Sequence, residues 1–150
     1  ASVIRSSEVQ TMSAGTGITH SEYNSSEKEF VHFLQIWIFP DEEGITPQYN
    51  QREMPFSKHN DWILICSKEG KEGSLKIHQD VKLYSLTLDE GKDVVKNIPG
   101  NRFGWLQVIS GDIKLNHDTL TAGDGAAIEN ITSINIKALT PSRILFFDLK

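Results

Sequence analysis

From Trp62 to Lys150 the apolar positions recur with a period close to two, and turn residues keep each run short. In Val81 to Leu88, for example, Tyr84, Leu86 and Leu88 fall on one face of an extended chain and Val81 and Leu83 on the other. Short strands are expected at Leu75 to His78 and Val81 to Leu88, separated by Gln79-Asp80 and closed by Asp89-Glu90-Gly91. A Pro99-Gly100 turn leads into Phe103 to Ile109, then Ser110-Gly111-Asp112, Ile113 to Asn116 and a tight hairpin at His117-Asp118. Leu120 and the turn Ala122-Gly123-Asp124-Gly125 precede strands at Ala126 to Glu129, Ile134 to Leu139 and Arg143 to Leu149. Many short strands at this spacing predict a jelly-roll barrel complete within this half.

The first 60 residues follow a different rhythm. Phe30 to Phe39 is a nearly continuous apolar run, ended by Pro40-Asp41-Glu42-Glu43-Gly44, which predicts a strand buried on both faces followed by a turn. His32 within it reads as a structural histidine hydrogen-bonded inside the sheet or at its edge, with a role as a metal ligand the alternative. Gly44 to Lys58 is polar and carries Pro47 and Pro55, so it reads as an irregular arm, with at most a short strand, packed across a neighbouring domain. Helical periodicity is absent beyond one turn beginning at Ser25 or Ser26, where Glu27 suits a helix start. The fold class is therefore all-β.

Composition narrows the function. A chain of 150 residues suffices for one ordinary domain and is too short for two full barrels. A net charge of -5, pI ≈ 5.5 and scattered Lys and Arg leave no electrostatic footprint for a phosphate backbone, which argues against direct nucleic-acid binding. No apolar run approaches membrane-spanning length, and Ala1 to Gln10 lacks the apolar core of a secretion signal, so a cytoplasmic protein is expected. The single Cys66 lies in the apolar run Trp62-Ile63-Leu64-Ile65-Cys66, where a buried, unreactive thiol is expected.

Candidate chemistry concentrates between Met12 and Glu22. Gly15 and Gly17 lack the third glycine and the downstream acid of a dinucleotide fingerprint, and they read instead as a tight turn that aims His20. His20 and Glu22 are two residues apart, so in an extended segment both leave the same face. An imidazole nitrogen and a carboxylate oxygen together suit iron, manganese, nickel, copper or zinc. Two ligands are not a site, and the same pair also fits a strand end with two solvated polar side chains.

The motif Val9-Gln10-x-Met12-Ser13-Ala14-Gly15-x-Gly17-Ile18-x-His20-Ser21-Glu22 resembles a metal-binding motif of the pirin family, whose members are bicupins. The likeness continues through Val31 to Ile38, Gly44-Ile45-Thr46-Pro47-x-Tyr49-x-Gln51-Arg52, Gly73 to Asp80, Leu120-x-Ala122-Gly123-Asp124-Gly125-Ala126 and Leu145 to Leu149. It implies a chain with residues 1–65 as the C-terminal part of a first, metal-binding cupin plus a connecting arm, and residues 66–150 as a second, metal-free cupin. In a metal-binding cupin a His-x-His with a later Glu would follow the glycine near Gly100, where this chain has Arg102, Phe103, Gly104 and Trp105. Trp105 then reads as core or cavity lining, and His59, His78 and His117 as solvated.

The resemblance implies that His20 and Glu22 match two of four ligands for a non-haem divalent metal, usually iron, with manganese, nickel, copper or zinc as alternatives. The other two, a His-x-His pair, lie in the family's N-terminal third, and this chain contains no His-x-His. The implied chemistry is quercetin 2,3-dioxygenase cleavage of a flavonoid-like molecule, with Glu22 both ligand and proton acceptor and His20 a ligand only. A second implied role is non-catalytic, a regulatory protein-interaction cupin of the pirin transcriptional-cofactor type. Lacking the front of the first barrel, the chain is expected to be inactive alone. It is also expected either to pair with another copy through its first 60 residues or to be part of a longer polypeptide.

Overall fold

The computed structural model describes residues 2–150. Among them the strands in chain order are β1 (Glu8–Ser13), β2 (Gln48–Glu53), β3 (Ile63–Ser67), β4 (Leu75–Lys76), β5 (Val81–Leu88), β6 (Asp93–Asn97), β7 (Phe103–Ser110), β8 (Ile113–Leu115), β9 (Asp118–Leu120), β10 (Gly125–Ile128), β11 (Ser133–Ala138) and β12 (Ser142–Leu149). The one helical element is a 3₁₀ turn at Lys71–Gly73. The expected all-β class holds. A six-stranded sheet in the order β10-β7-β12-β5-β3-β4 faces a four-stranded sheet in the order β6-β11-β8-β9, while β1 and β2 form a separate antiparallel pair.

The alternation of side chains shows why these segments pair as they do. In β11, Ile134, Ile136 and Ala138 are buried while Ser133, Asn135 and Lys137 are exposed, the signature of a sheet with one dry face. Its inward residues meet Leu86 and Leu88 of β5, Leu106 and Val108 of β7, and Ile144 and Phe146 of β12 in one continuous core. Close packing leaves no room for a side chain at Gly104 of β7, where a Cβ would lie 2.9 Å from the Phe146 ring.

The six-stranded sheet is covered on its other face as well. Met54, Ile65, Cys66, Leu75, Leu83 and Leu145 form a second buried cluster, with Val9, Phe56, Ile77, Ile109 and Phe147 packed against it. Burial pushes the Cys66 thiol up to about 12, so it is a small apolar side chain in practice. Met54 and Phe56 come from the end of the polar arm, and the amide of Met54 donates to Ser7 O at 2.8 Å. The arm thus carries the short strand β2 and then lies across the barrel's outer face.

The expected doubly buried strand at Phe30 to Phe39 does not form. No strand is assigned there, and Phe30, Trp37 and Phe39 are exposed, Trp37 by 82%. An apolar run becomes a buried strand only when a neighbour offers backbone hydrogen bonds, and no described segment is placed to do so. His32 is exposed rather than held within a sheet. The helical turn near Ser26 is absent too: Ser26 Oγ accepts from the amides of Lys28 and Glu29 as an N-cap would, but no helix follows.

Two barrel positions also differ from expectation. Trp105 is 40% exposed on the outer face and lies across Gly125, where a Cβ would come within 2.4 Å of the indole. Its neighbour across the ladder is Phe147, so it belongs to the outer row and not to the barrel interior. His78 is not solvated: its side chain is 15% exposed and its Nδ1 lies 3.8 Å from Glu42. His59 is exposed, as expected, with Nδ1 2.8 Å from Asp89.

Arg102 ties the turns at one end of the barrel together. Its Nε donates to the Asp148 carboxylate, Nη1 to both oxygens of Asp80 at 3.1 Å, and Nη2 to the carbonyls of Asp80 and Asp148 at 3.1 Å each. All five guanidinium donors are used, and the contact holds the Asp80 carboxyl below its ordinary range. Replacing Arg102 by Met would leave Asp148, whose side chain is only 10% exposed, charged without a partner. Arg102→Met is expected to destabilise the barrel by about 3–5 kcal/mol in urea unfolding, with part of the loss recovered when Asp148→Asn is added.

Candidate functional site

The β1–β2 pair carries the candidate chemistry. Register places Gln10 opposite Gln51 and Met12 opposite Tyr49. Alternation puts Glu8, Gln10, Tyr49 and Gln51 in one polar row, and their side chains interlock. The single Tyr49 hydroxyl proton is shared between Gln51 Oε1 at 2.5 Å and Gln10 Oε1 at 3.2 Å, while Gln51 Nε2 donates to Glu8 Oε2 at 2.9 Å and to Val3 O at 2.8 Å.

Beyond β1 the chain turns sharply. Gly17 N donates to Ala14 O at 2.8 Å, and Gly15 and Gly17 both have positive φ, +50° and +128°. Gly15 is constrained doubly, because a Cβ there would sit 1.8 Å from the carbonyl oxygen of Ile45. The turn is therefore wedged beneath the segment that leads into β2.

After this turn, His20 and Glu22 lie in a stretch without strand pairing, and both are exposed. Glu22 is tethered to the polar row: its Oε1 accepts from Gln10 Nε2 at 2.7 Å. A chain of bonds from Tyr49 through Gln10 to Glu22 thus links β2, β1 and the candidate ligand segment. Gln10 and Tyr49 belong to the quoted motif, but their part in orienting a carboxylate follows only from the cross-strand register. Among the described residues no three His, Cys, Asp or Glu side chains converge in a metal-binding group. His20, His32, His59, His78 and His117 therefore belong to no such group. The candidate donor set is one imidazole and one carboxylate, and among the described residues no third donor converges to complete a coordination sphere.

Comparison with known proteins places this geometry in context. Residues 64–149 match the family described as the quercetinase C-terminal cupin domain, and residues 1–38 match the family described as pirin. A quercetin 2,3-dioxygenase of Escherichia coli strain K12 is 44% identical over 142 residues, covering 95% of this chain and 61% of that protein. A putative quercetin 2,3-dioxygenase of Pasteurella multocida is 38% identical over 148 residues. Two crystal structures of YhhW from E. coli align at 43% identity. One has a TM-score of 0.91 and covers 98% of this chain and 62% of that one; the other, bacterial pirin YhhW in complex with nickel(II), has a TM-score of 0.88. The chain spans about three fifths of the length of these relatives.

The hairpin that carries Gln10, Tyr49 and the Gly15 turn can be tested directly. In Gly15→Ala the new Cβ needs both a left-handed backbone, costing about 1–2 kcal/mol, and room that the Ile45 carbonyl occupies. Hydrogen exchange is expected to quicken at the amides of β1 and β2 while β5, β7 and β12 keep their protection.

Proposed function

Because the chain belongs to the pirin family of bicupin proteins, with a cupin barrel at its C-terminal end, we propose that it carries one half of a quercetin 2,3-dioxygenase-like metal centre. In this reading His20 and Glu22 are two ligands of a non-haem divalent cation. The observation that carries it is the tether from Gln10 to Glu22, which fixes one carboxylate oxygen and leaves the other free. The nickel reported for bacterial pirin YhhW supports a divalent cation in the family.

The two donors do not suffice to hold a metal by themselves, since cation sites of this type use three or more protein ligands. What this chain's residues do toward the reaction is orient and accept. Tyr49 helps to orient the Gln10 amide, the amide holds one oxygen of Glu22 in place, and the free Glu22 oxygen accepts the proton of a flavonol-like hydroxyl. The isolated chain is read as inactive. A buried, unpaired thiol at Cys66 is consistent with a reducing cytoplasm, and no helix among the described residues is long and apolar enough to cross a membrane.

A second reading, a non-catalytic interaction protein, draws support from the exposed apolar segment. Phe30, Val31, Phe33, Trp37 and Phe39 are each more than half exposed in a single copy. Such a row invites association with another surface, and a second copy is the partner proposed here.

Two measurements separate these readings. Loaded with ferrous iron or nickel and then gel-filtered, the chain is expected to retain well under one equivalent of metal, less again in His20→Ala, and to leave the absorbance of quercetin unchanged. Stoichiometric metal that survives replacement of both His20 and Glu22 would refute the ligand assignment, and quercetin cleavage by the chain would refute its inactivity. In sedimentation equilibrium the chain is expected to show the mass of a dimer and Phe33→Asp/Trp37→Asp that of a monomer; a monomeric parent chain contradicts the pairing.

A further inference from the structure

The loop between β1 and β2 runs for more than thirty residues without a strand, carrying His20 and Glu22 on its outgoing limb and Phe30 to Phe39 on its return. Among the described residues, all of its hydrogen bonds to the barrel come from Phe39 and Asp41. Pro40 between them sets up the contact. It has no amide to satisfy, and it restricts both its own backbone and that of Phe39, so its neighbours dock with little further ordering. Gln79 Nε2 donates to Phe39 O at 2.9 Å, and the Asp41 amide donates to His78 O at 2.8 Å. Charged groups close the same junction. Lys68, from the turn after β3, donates through Nζ to Asp41 Oδ2 at 2.5 Å, and Glu42 Oε2 lies 3.8 Å from His78 Nδ1.

This junction differs in kind from the apolar cover further along the arm. Met54 is 4% exposed, whereas the side chains of Lys68 and Asp41 are 44% and 28% exposed. Beside them opens a cleft of ≈ 320 Å³, lined by Glu42, Lys68, Glu69, Lys76, Ile77 and His78, through which water and ions reach the pair. Lys68 is the hub of the charges. The Asp41 hydrogen bond and charge raise its amine above the ordinary range, burial opposes them, and Glu42 and Asp80 add to the rise. Lys68 in turn holds the Asp41 carboxyl low, chiefly through the same hydrogen bond. An ion pair in this setting contributes modestly and weakens as salt screens it. The contact can therefore come undone without disturbing the buried cover.

We propose that residues 39–42 form a salt-sensitive strap by which the barrel holds or releases the return limb of this loop, with Lys68 as its catch. With the strap closed, the free part of the loop ends at Ile38. With it open, free chain continues to Ile45, whose carbonyl oxygen is wedged against the Gly15 turn. A longer free loop has more conformations, so opening loosens Phe30 to Phe39 while β1 and β2 stay paired. Lys68, His78 and Gln79 are positioning residues in this device, since they act on the apolar run through the strap. Its action needs neither a metal at His20 and Glu22 nor a second copy of the chain.

The test reads the strap and the run separately in the intact chain by nuclear magnetic resonance. Exchange of the Asp41 amide with water, corrected by unbonded amides of the same loop, is expected to be about threefold slower in dilute buffer than in about 0.5 M sodium chloride. Lys68→Met should exchange at the high-salt rate in both solutions, and so should Asp41→Asn. Combining the two should add nothing, because both remove one interaction. In each variant nitrogen relaxation at residues 31–38 should report wider motion, while β5, β7 and β12 match the parent. A Lys68→Met chain that keeps the slow exchange, or keeps the parent's response to salt, overturns the proposal. So does a strap amide that quickens while residues 31–38 relax as in the parent.

Discussion

The six-stranded sheet has to be dry on both faces, and most of the structure answers that requirement. β12 makes it plain: Ile144 and Phe146 enter the barrel while Leu145 and Phe147 turn outward, and every one of them is at least half-buried. The inner face is closed by the four-stranded sheet. The outer face is closed by Val9, Met54 and Phe56, which come from residues that are not part of the barrel at all. A sheet with two apolar faces cannot present either to water over a large area without cost, so the arm from β2 is a structural cover as well as a connector. Where that cover stops, Phe103 and Trp105 are left 46% and 40% exposed.

The same constraint explains which parts of the fold can be read from residue order. β11 is legible because its alternation reports the side it buries, and Ala122-Gly123-Asp124-Gly125 is legible because turns have their own chemistry. Phe30 to Phe39 is misleading for the same physical reason. Its composition states that the segment prefers a dry environment, but composition cannot state whether a partner strand is available to provide one. Trp105 fails differently. Its position in β7 is evident, yet which face of that strand points inward depends on the register with β12, a long-range property.

The candidate site divides along the same line. His20 and Glu22 stand out as a spaced pair of ligand-type residues, and Gly15 and Gly17 as a turn. That Gln10 grips Glu22 and Tyr49 grips Gln10 depends on the pairing of β1 with β2 across more than thirty residues of loop, which no local pattern encodes. Lys96 is harder still. A lysine in an edge strand is ordinarily a solvated one, and only the facing of the two sheets brings its Nζ to 3.3 Å from the Tyr84 ring and 5.0 Å from that of Trp62. Arg102 offers a contrast, since it occupies the place where a metal-binding cupin would set its histidines. With all its donors spent on Asp80, Asp148 and their carbonyls, it closes that end of the barrel by ionic contacts.

Cys66 has a practical consequence. It lies 4% exposed in β3, at the seam between the barrel and its cover, and it is the only sulfhydryl of the chain. While the cover is seated, a maleimide cannot reach it. Each detachment of the arm uncovers it briefly, so the alkylation rate of a single atom becomes a stopwatch for how often the two halves of the molecule part company, with no introduced label needed.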